Sequence, residues 1–154
     1  MITIHWSLFN CHFLDGVVGH FRGPQPPIPI MPMQNEKVDQ IEDRLIDFGV
    51  QIIFLSGRLP ASQASEHIAR QMLRSGTSPA PNYGEARGAE SRADFIHKLG
   101  IALKELNETK VWLKMLQRAK LAAAETVHPV LDECQQLARM LNASIQTARR
   151  SPSK

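Results

Sequence analysis

Cations at a repeating interval are the first residues here whose types and spacing could do chemistry. Lys98, Lys104, Lys110, Lys114 and Arg118, with Lys120 beyond, fall in one stretch, and Lys110, Lys114 and Arg118 recur every fourth residue. On a helix that interval draws one slowly drifting stripe, and a cationic stripe can track nucleic-acid phosphates. A solvated helix face carries the same residues for a different reason, because positive charge near a helix C-terminus opposes the macrodipole. No aromatic residues are interleaved with the cations as a base-stacking platform requires, and Trp112 reads as core or interface. The stripe permits nucleic-acid contact without specifying it.

Arg92 and His97, in the run SRADFIH, have a spacing similar to that of metal-independent ribonucleases built on helical bundles. In that scheme His97 moves protons and Arg92 stabilises the phosphorane. Their separation along a helix, however, takes the two side chains off one face. Glu85, Glu90 and Asp94 are acidic groups beside a helix start. They define no ligand geometry, and Glu90 and Asp94 are natural first-turn residues. Asn82, Tyr83 and Glu85 follow a backbone broken by glycine and proline. One reading is a polar clasp between helices, with Asn82 satisfying freed backbone groups and Tyr83 burying its ring. The alternative is a small-ligand site. No Ser/His/Asp set, Cys/His pair, phosphate-binding glycine loop or zinc spacing is present. The expectation is a non-enzymatic protein without cofactor or metal, the ribonuclease being the alternative.

The elements that must position these residues are helices. With 154 residues, 43% apolar, 21% charged and only 6% aromatic, the chain suits a single aliphatic helical core. Cys11 and Cys134 lie in differently patterned regions and imply no disulfide framework, which fits a reducing cytoplasm. The net charge of +3 is compatible with a polyanion without demanding one. No apolar run approaches the roughly 18 residues of a transmembrane helix, and the N-terminus lacks the marks of an export signal.

Residues 1–33 hold half of the prolines and almost no charge. They read as an extended or disordered Pro-rich extension, and Met31 and Met33 are candidate true starts. From Glu36 the pattern turns helical, with Val38, Ile41, Leu45, Phe48, Ile52, Leu55 and Leu59 on one stripe. Ile46 and Ile53 widen that face, as packing on more than one neighbour requires. Asp39 with Glu42 could cap this helix, and Pro60 ends it. A second run turns Ala64, Ile68 and Met72 inward and should break between Ser78 and Pro81. Ser91 with Asp94 opens a third, longest helix, whose stripe is Phe95, Leu99, Ala102, Leu106, Thr109, Leu113 and Leu116, ending between Ala119 and Ala124. A fourth begins near Pro129 and carries Val130, Cys134, Leu137, Leu141 and Ile145 inward. The fold expected is all-α, an antiparallel up-and-down four-helix bundle over residues 34–149, between the irregular N-terminal extension and a basic tail at 150–154.

The segments RSGTS, NYGEARGAES, DFIHKL and LKEL resemble the bacterial four helix bundle protein family, also called the 23S ribosomal RNA intervening-sequence protein family. The residues that carry the likeness are Arg74, Ser75, Thr77, Asn82, Tyr83, Glu85, Ala86, Ser91, Asp94, Phe95, Lys98, Leu99, Glu105 and Trp112. The resemblance covers about residues 36–149 and implies a small homopentameric helical bundle. It is shared with accessory proteins of diversity-generating retroelements, which implies possible partners in RNA or DNA and in a reverse transcriptase. It implies no established catalytic residue. Two functions follow as expectations: nucleic-acid binding through the basic face of the third helix, or an assembly module that binds no nucleic acid.

Overall fold

The computed structural model describes residues 36–150, and every regular element among them is helical. The expectations for residues 1–33, including Cys11, and for the tail beyond Arg150 lie outside the described residues. The helices are α1 (Glu36–Gly57), α2 (Gln63–Thr77), α3 (Pro79–Arg87), α4 (Arg92–Arg118) and α5 (Ala124–Arg150). Short α3 continues α2 past a break at Ser78, so the bundle has four arms. Each arm packs on the next: α1 on α2 and α3, these on α4, α4 on α5, and α5 back on α1. α1 and α4 thus occupy opposite corners.

The break falls where proline predicts, but the chain beyond it is helical, unlike the interrupted segment expected. Ser78 keeps right-handed helical angles, and Pro79 begins α3 directly. Both Pro79 and Pro81 lie in the first turn, where the missing amide would have no intrahelical partner. The Asn82 side-chain amide braces the corner by donating to the Ser78 carbonyl at 2.9 Å and to its hydroxyl at 3.0 Å.

Three other expectations change. α1 starts at Glu36, so Asp39 lies inside the helix and does not cap it. α5 starts at Ala124 with Pro129 inside it. Val127 in its first turn is fully buried, and burying that side chain favours extending the helix upstream of the proline. On α2, Ala64 is exposed and Ser65 takes the inward position. The Ser62 hydroxyl accepts from the Ser65 amide at 3.1 Å and donates to its hydroxyl at 2.9 Å, so the inward polar group is satisfied.

The ends of α4 follow sequence logic more closely. The Ser91 hydroxyl accepts from the Asp94 amide at 3.1 Å. At the other end Lys120 takes a left-handed conformation, φ 56°. Its amide bonds Gln117 and the Leu121 amide reaches back to Leu116, both at 3.1 Å. That is a Schellman closure with lysine where glycine is usual.

The core is the predicted stripe of each arm: Leu45, Phe48 and Ile52 from α1, Ile68 and Met72 from α2, Leu99, Leu106 and Leu113 from α4, Leu137 and Leu141 from α5. Ile46 and Ile53 do not widen it. They are 49% and 51% exposed, beside Val50 at 41% and Phe54 at 60%, and form an apolar stripe on the face of α1 turned away from the core.

α1 approaches α2 closely at a pair of glycines. A Cβ placed on Gly76 would stand 2.8 Å from both Cγ atoms of Ile52, while one placed on Gly49 would stand 3.8 Å from the Gly76 carbonyl oxygen, in ordinary contact. Gly76→Ala should therefore destabilise the fold by about 1–3 kcal/mol in urea denaturation. Ile52→Ala, about 2–5 kcal/mol alone, should cost less in the Gly76→Ala background; strictly additive losses would refute the contact.

Candidate nucleic-acid interface

The residues of the polar segment are held by one another. On α2, Arg74 pairs with Glu108 of α4 at 2.9 Å. Glu108 also accepts from the Trp112 indole at 3.2 Å, and Trp112 meets the His67 ring edge to face at 5.8 Å. Ser75 and Thr109 are fully buried, with hydroxyls 2.9 Å apart. Thr77 turns back to the Leu73 carbonyl at 2.7 Å. Tyr83 buries its ring in the core cluster, and Glu85 of α3 pairs with Lys98 of α4 at 2.5 Å.

Each hydroxyl in the Ser75 and Thr109 pair has one proton. Ser75 lies 3.0 Å from the Gln71 carbonyl and Thr109 lies 2.9 Å from the Glu105 carbonyl. Either Thr109 donates to Ser75 and Ser75 to Gln71, or Ser75 donates to Thr109 and Thr109 to Glu105. Both arrangements keep one bond between α2 and α4 and strand no donor.

The five candidate cations do not share one face. Lys98 is turned toward α3, where hydrogen bonding and charge from Glu85 raise its pKa above the usual lysine value. Lys110 is turned toward α5, its ammonium 2.9 Å from the Asn107 side-chain oxygen. Lys104, Lys114 and Arg118 are exposed, near the apolar pair Val111 and Met115, 46% and 47% exposed. No ion pair engages these three among the described residues.

α5 supplies a wall that the cation pattern does not reveal. A cleft of about 360 Å³ runs between α4 and α5, lined by Leu103, Asn107, Lys110, Gln135, Ala138, Arg139 and Asn142. Its lining holds cations and amides over an aliphatic floor, with no carboxylate. Glu133, the last acid of α5, faces the other way and takes Arg44 of α1 in a two-pronged pair at 2.9 and 2.8 Å. That partner raises the Arg44 pKa. The signal was present in sequence, since α5 past Glu133 contains Arg139, Arg149 and Arg150 and no Asp or Glu. Only the pairing of helices makes it a wall.

Cys134 sits on the core side of α5, 3.2 Å from the Leu106 carbonyl, and burial pushes its thiol up to about 12. It is a packing residue at neutral pH. Arg92 lines a shallow depression at the turn from α3 into α4, with Ala86, Arg87, Ala89, Ser91 and Phe95, and His97 is not among the lining residues. Among the described residues no group of three or more His, Cys, Asp or Glu could hold a metal ion. None of their helices is long and apolar enough to cross a membrane.

Comparison with known proteins adds an independent line. A family profile described as 23S rRNA-intervening sequence protein matches residues 39–143. The crystal structure of a protein with unknown function from the S23 ribosomal protein family of Bacteroides thetaiotaomicron is 38% identical, with a TM-score of 0.67, over 71% of this chain and 98% of that one. No match was found among curated proteins.

The buried hydroxyl pair gives a direct test of how α2 is held on α4. Thr109→Val and Ser75→Ala should each lower stability by about 1 kcal/mol. The double variant should lose less than the sum, because the second change removes a bond already gone. Additivity in a denaturation cycle would contradict the shared bond.

Proposed function

The chain belongs to the 23S rRNA-intervening sequence protein family, and on that premise we propose that it is a non-enzymatic, self-associating helical bundle that binds RNA or DNA through the cations of α4. The observation that carries this reading is that Lys104, Lys114 and Arg118 make no ion pair on a structure that pairs Lys98 of the same helix with a carboxylate and sets Lys110 on the Asn107 side-chain oxygen. Cations left exposed and uncompensated are free to release counterions from a phosphate backbone. Each copy offers few of them, so copies acting together supply avidity.

Self-association is supported by the apolar stripe of α1. Ile46, Val50 and Ile53 fall on successive turns of one face, with Phe54 beside them, a patch larger than scattered surface apolar residues. A ring of five copies needs two different patches on each copy, since a head-to-tail contact cannot use one patch twice. Val111 and Met115 on α4 are a second exposed apolar spot.

Reversing Lys110, Lys114 and Arg118 to Glu should weaken RNA and DNA binding at least tenfold in gel shifts and flatten the salt dependence. Unchanged binding, or none by the wild type at low salt, would sink the reading. Val50→Glu with Ile53→Glu should give a smaller species in sedimentation while helix content by circular dichroism is retained. An unaltered sedimentation coefficient would remove α1 from the subunit contact.

A further inference from the structure

We infer that the seam between α4 and α5 is a groove for unpaired nucleic acid, with phosphates held by Lys110 and Arg139 and base edges met by Asn107 and Asn142. This rests on the nucleic-acid reading above and relocates its centre, from the outer face of α4 to a cleft that needs both helices.

The chemistry of the walls points to a strand and not to a duplex. Lys110 is half-buried along the seam, its ammonium beside the Asn107 amide. The cleft, about 360 Å³, is at the small end of the range that takes compact ligands and matches one nucleotide at a time. Its amides pair with base edges that a duplex hides and a single strand presents. The aliphatic floor of Leu103 and Ala138 gives a flat base an apolar surface to lie against.

The seam also has length and sign. Beyond the cleft α5 continues on the same flank through Gln146 to Arg149, at helical spacing from Asn142. From Gln135 to Arg149 that flank runs ~20 Å without a carboxylate, enough for a few nucleotides. Asp132, two turns before Arg139, marks where the acid-free stretch ends. The nearest acid to Lys110 along α4 is directed elsewhere: Glu108 holds Arg74 and Trp112 from the α2 side.

The test uses the full chain and fluorescence anisotropy with a labelled mixed-sequence 12-nucleotide RNA, alone and annealed to its complement. The variant Arg139→Gln with Arg149→Gln changes only exposed residues of α5, so the fold should persist. It should weaken single-strand binding at least tenfold and reduce the salt slope by about 1.4, two contacts at about 0.7 each. Asn142→Ala should weaken single-strand binding and leave the salt slope unchanged. Wild type should prefer the single strand. If the α5 variant stays within twofold of wild type while Lys104→Gln with Arg118→Gln loses affinity, the seam is wrong and the α4 face stands. A preference for the duplex would also overturn the seam. Absence of wild-type binding to either probe would sink the seam and the nucleic-acid reading together.

Discussion

The architecture depends on the close approach of α2 to two helices that do not touch each other. α1 and α4 stand at opposite corners, so their relation is set through the arms between them, α5 on one side and α2 on the other. Consecutive residues at the end of α2 do this. Ser75 bonds Thr109 of α4 in the buried interior, while Gly76, turned by about 100° on the same helix, lets Ile52 of α1 come to a distance that a methyl group would forbid. A larger residue at the second position would push α1 away, and an apolar one at the first would remove the buried hydrogen bond to α4. Arg74 and Thr77 extend the same arrangement outward, one to Glu108 and the other back onto its own helix. The crowding of polar residues in RSGTS is thus the crowding of contacts at a helix junction.

Charge is distributed by the same junctions. Where two helices are tied at the surface, the tie consumes a cation: Lys98 by Glu85 between α3 and α4, Arg44 by Glu133 between α1 and α5. These exposed or half-exposed pairs contribute little stability individually. Their larger effect is on what remains. Glu133 is the last carboxylate of α5 and is engaged with α1, and beyond Asp132 the opposite flank of that helix carries amides and arginines without a carboxylate. A core thiol on the same helix, Cys134, stays neutral, so the interior side adds no charge to oppose them.

Much of the bundle was legible because burial obeys the helical period. Leu45 to Leu55, Leu99 to Leu116 and Val130 to Ile145 went inside as their spacing required, and Ser91 capped α4 as its position before Asp94 suggested. The misreadings share one cause, that local signals were weighed without their neighbours. Pro79 and Pro81 look like breakers until both are seen in a first turn, and Pro129 looks like a start until Val127 is found buried ahead of it. Ile46 and Ile53 look like core until no helix covers them. Spacing alone puts Lys110, Lys114 and Arg118 on one stripe and leaves Lys98 and Lys104 beside it on the same helix. Their grouping is instead decided by which helix lies alongside, α3 for Lys98 and α5 for Lys110, and no periodicity within α4 carries that information.

The two surfaces proposed for assembly and for binding are kept apart by the bundle's own geometry. The apolar stripe of Ile46, Val50, Ile53 and Phe54 lies on the outer side of α1, diagonal from α4, so covering it cannot fill the cleft between α4 and α5. Val111 and Met115 are nearer, beside the seam on the outside of α4, and neither lines the cleft. A contact there would bring the grooves of successive copies close without closing any of them. A groove of ~20 Å engages too few phosphates to hold a strand tightly at physiological salt. Held at short, fixed intervals, several such grooves raise the effective concentration each presents to a strand already bound at its neighbour. On the proposed reading, assembly through apolar faces and binding through a polar seam become one device, in which the first supplies the affinity that the second lacks alone.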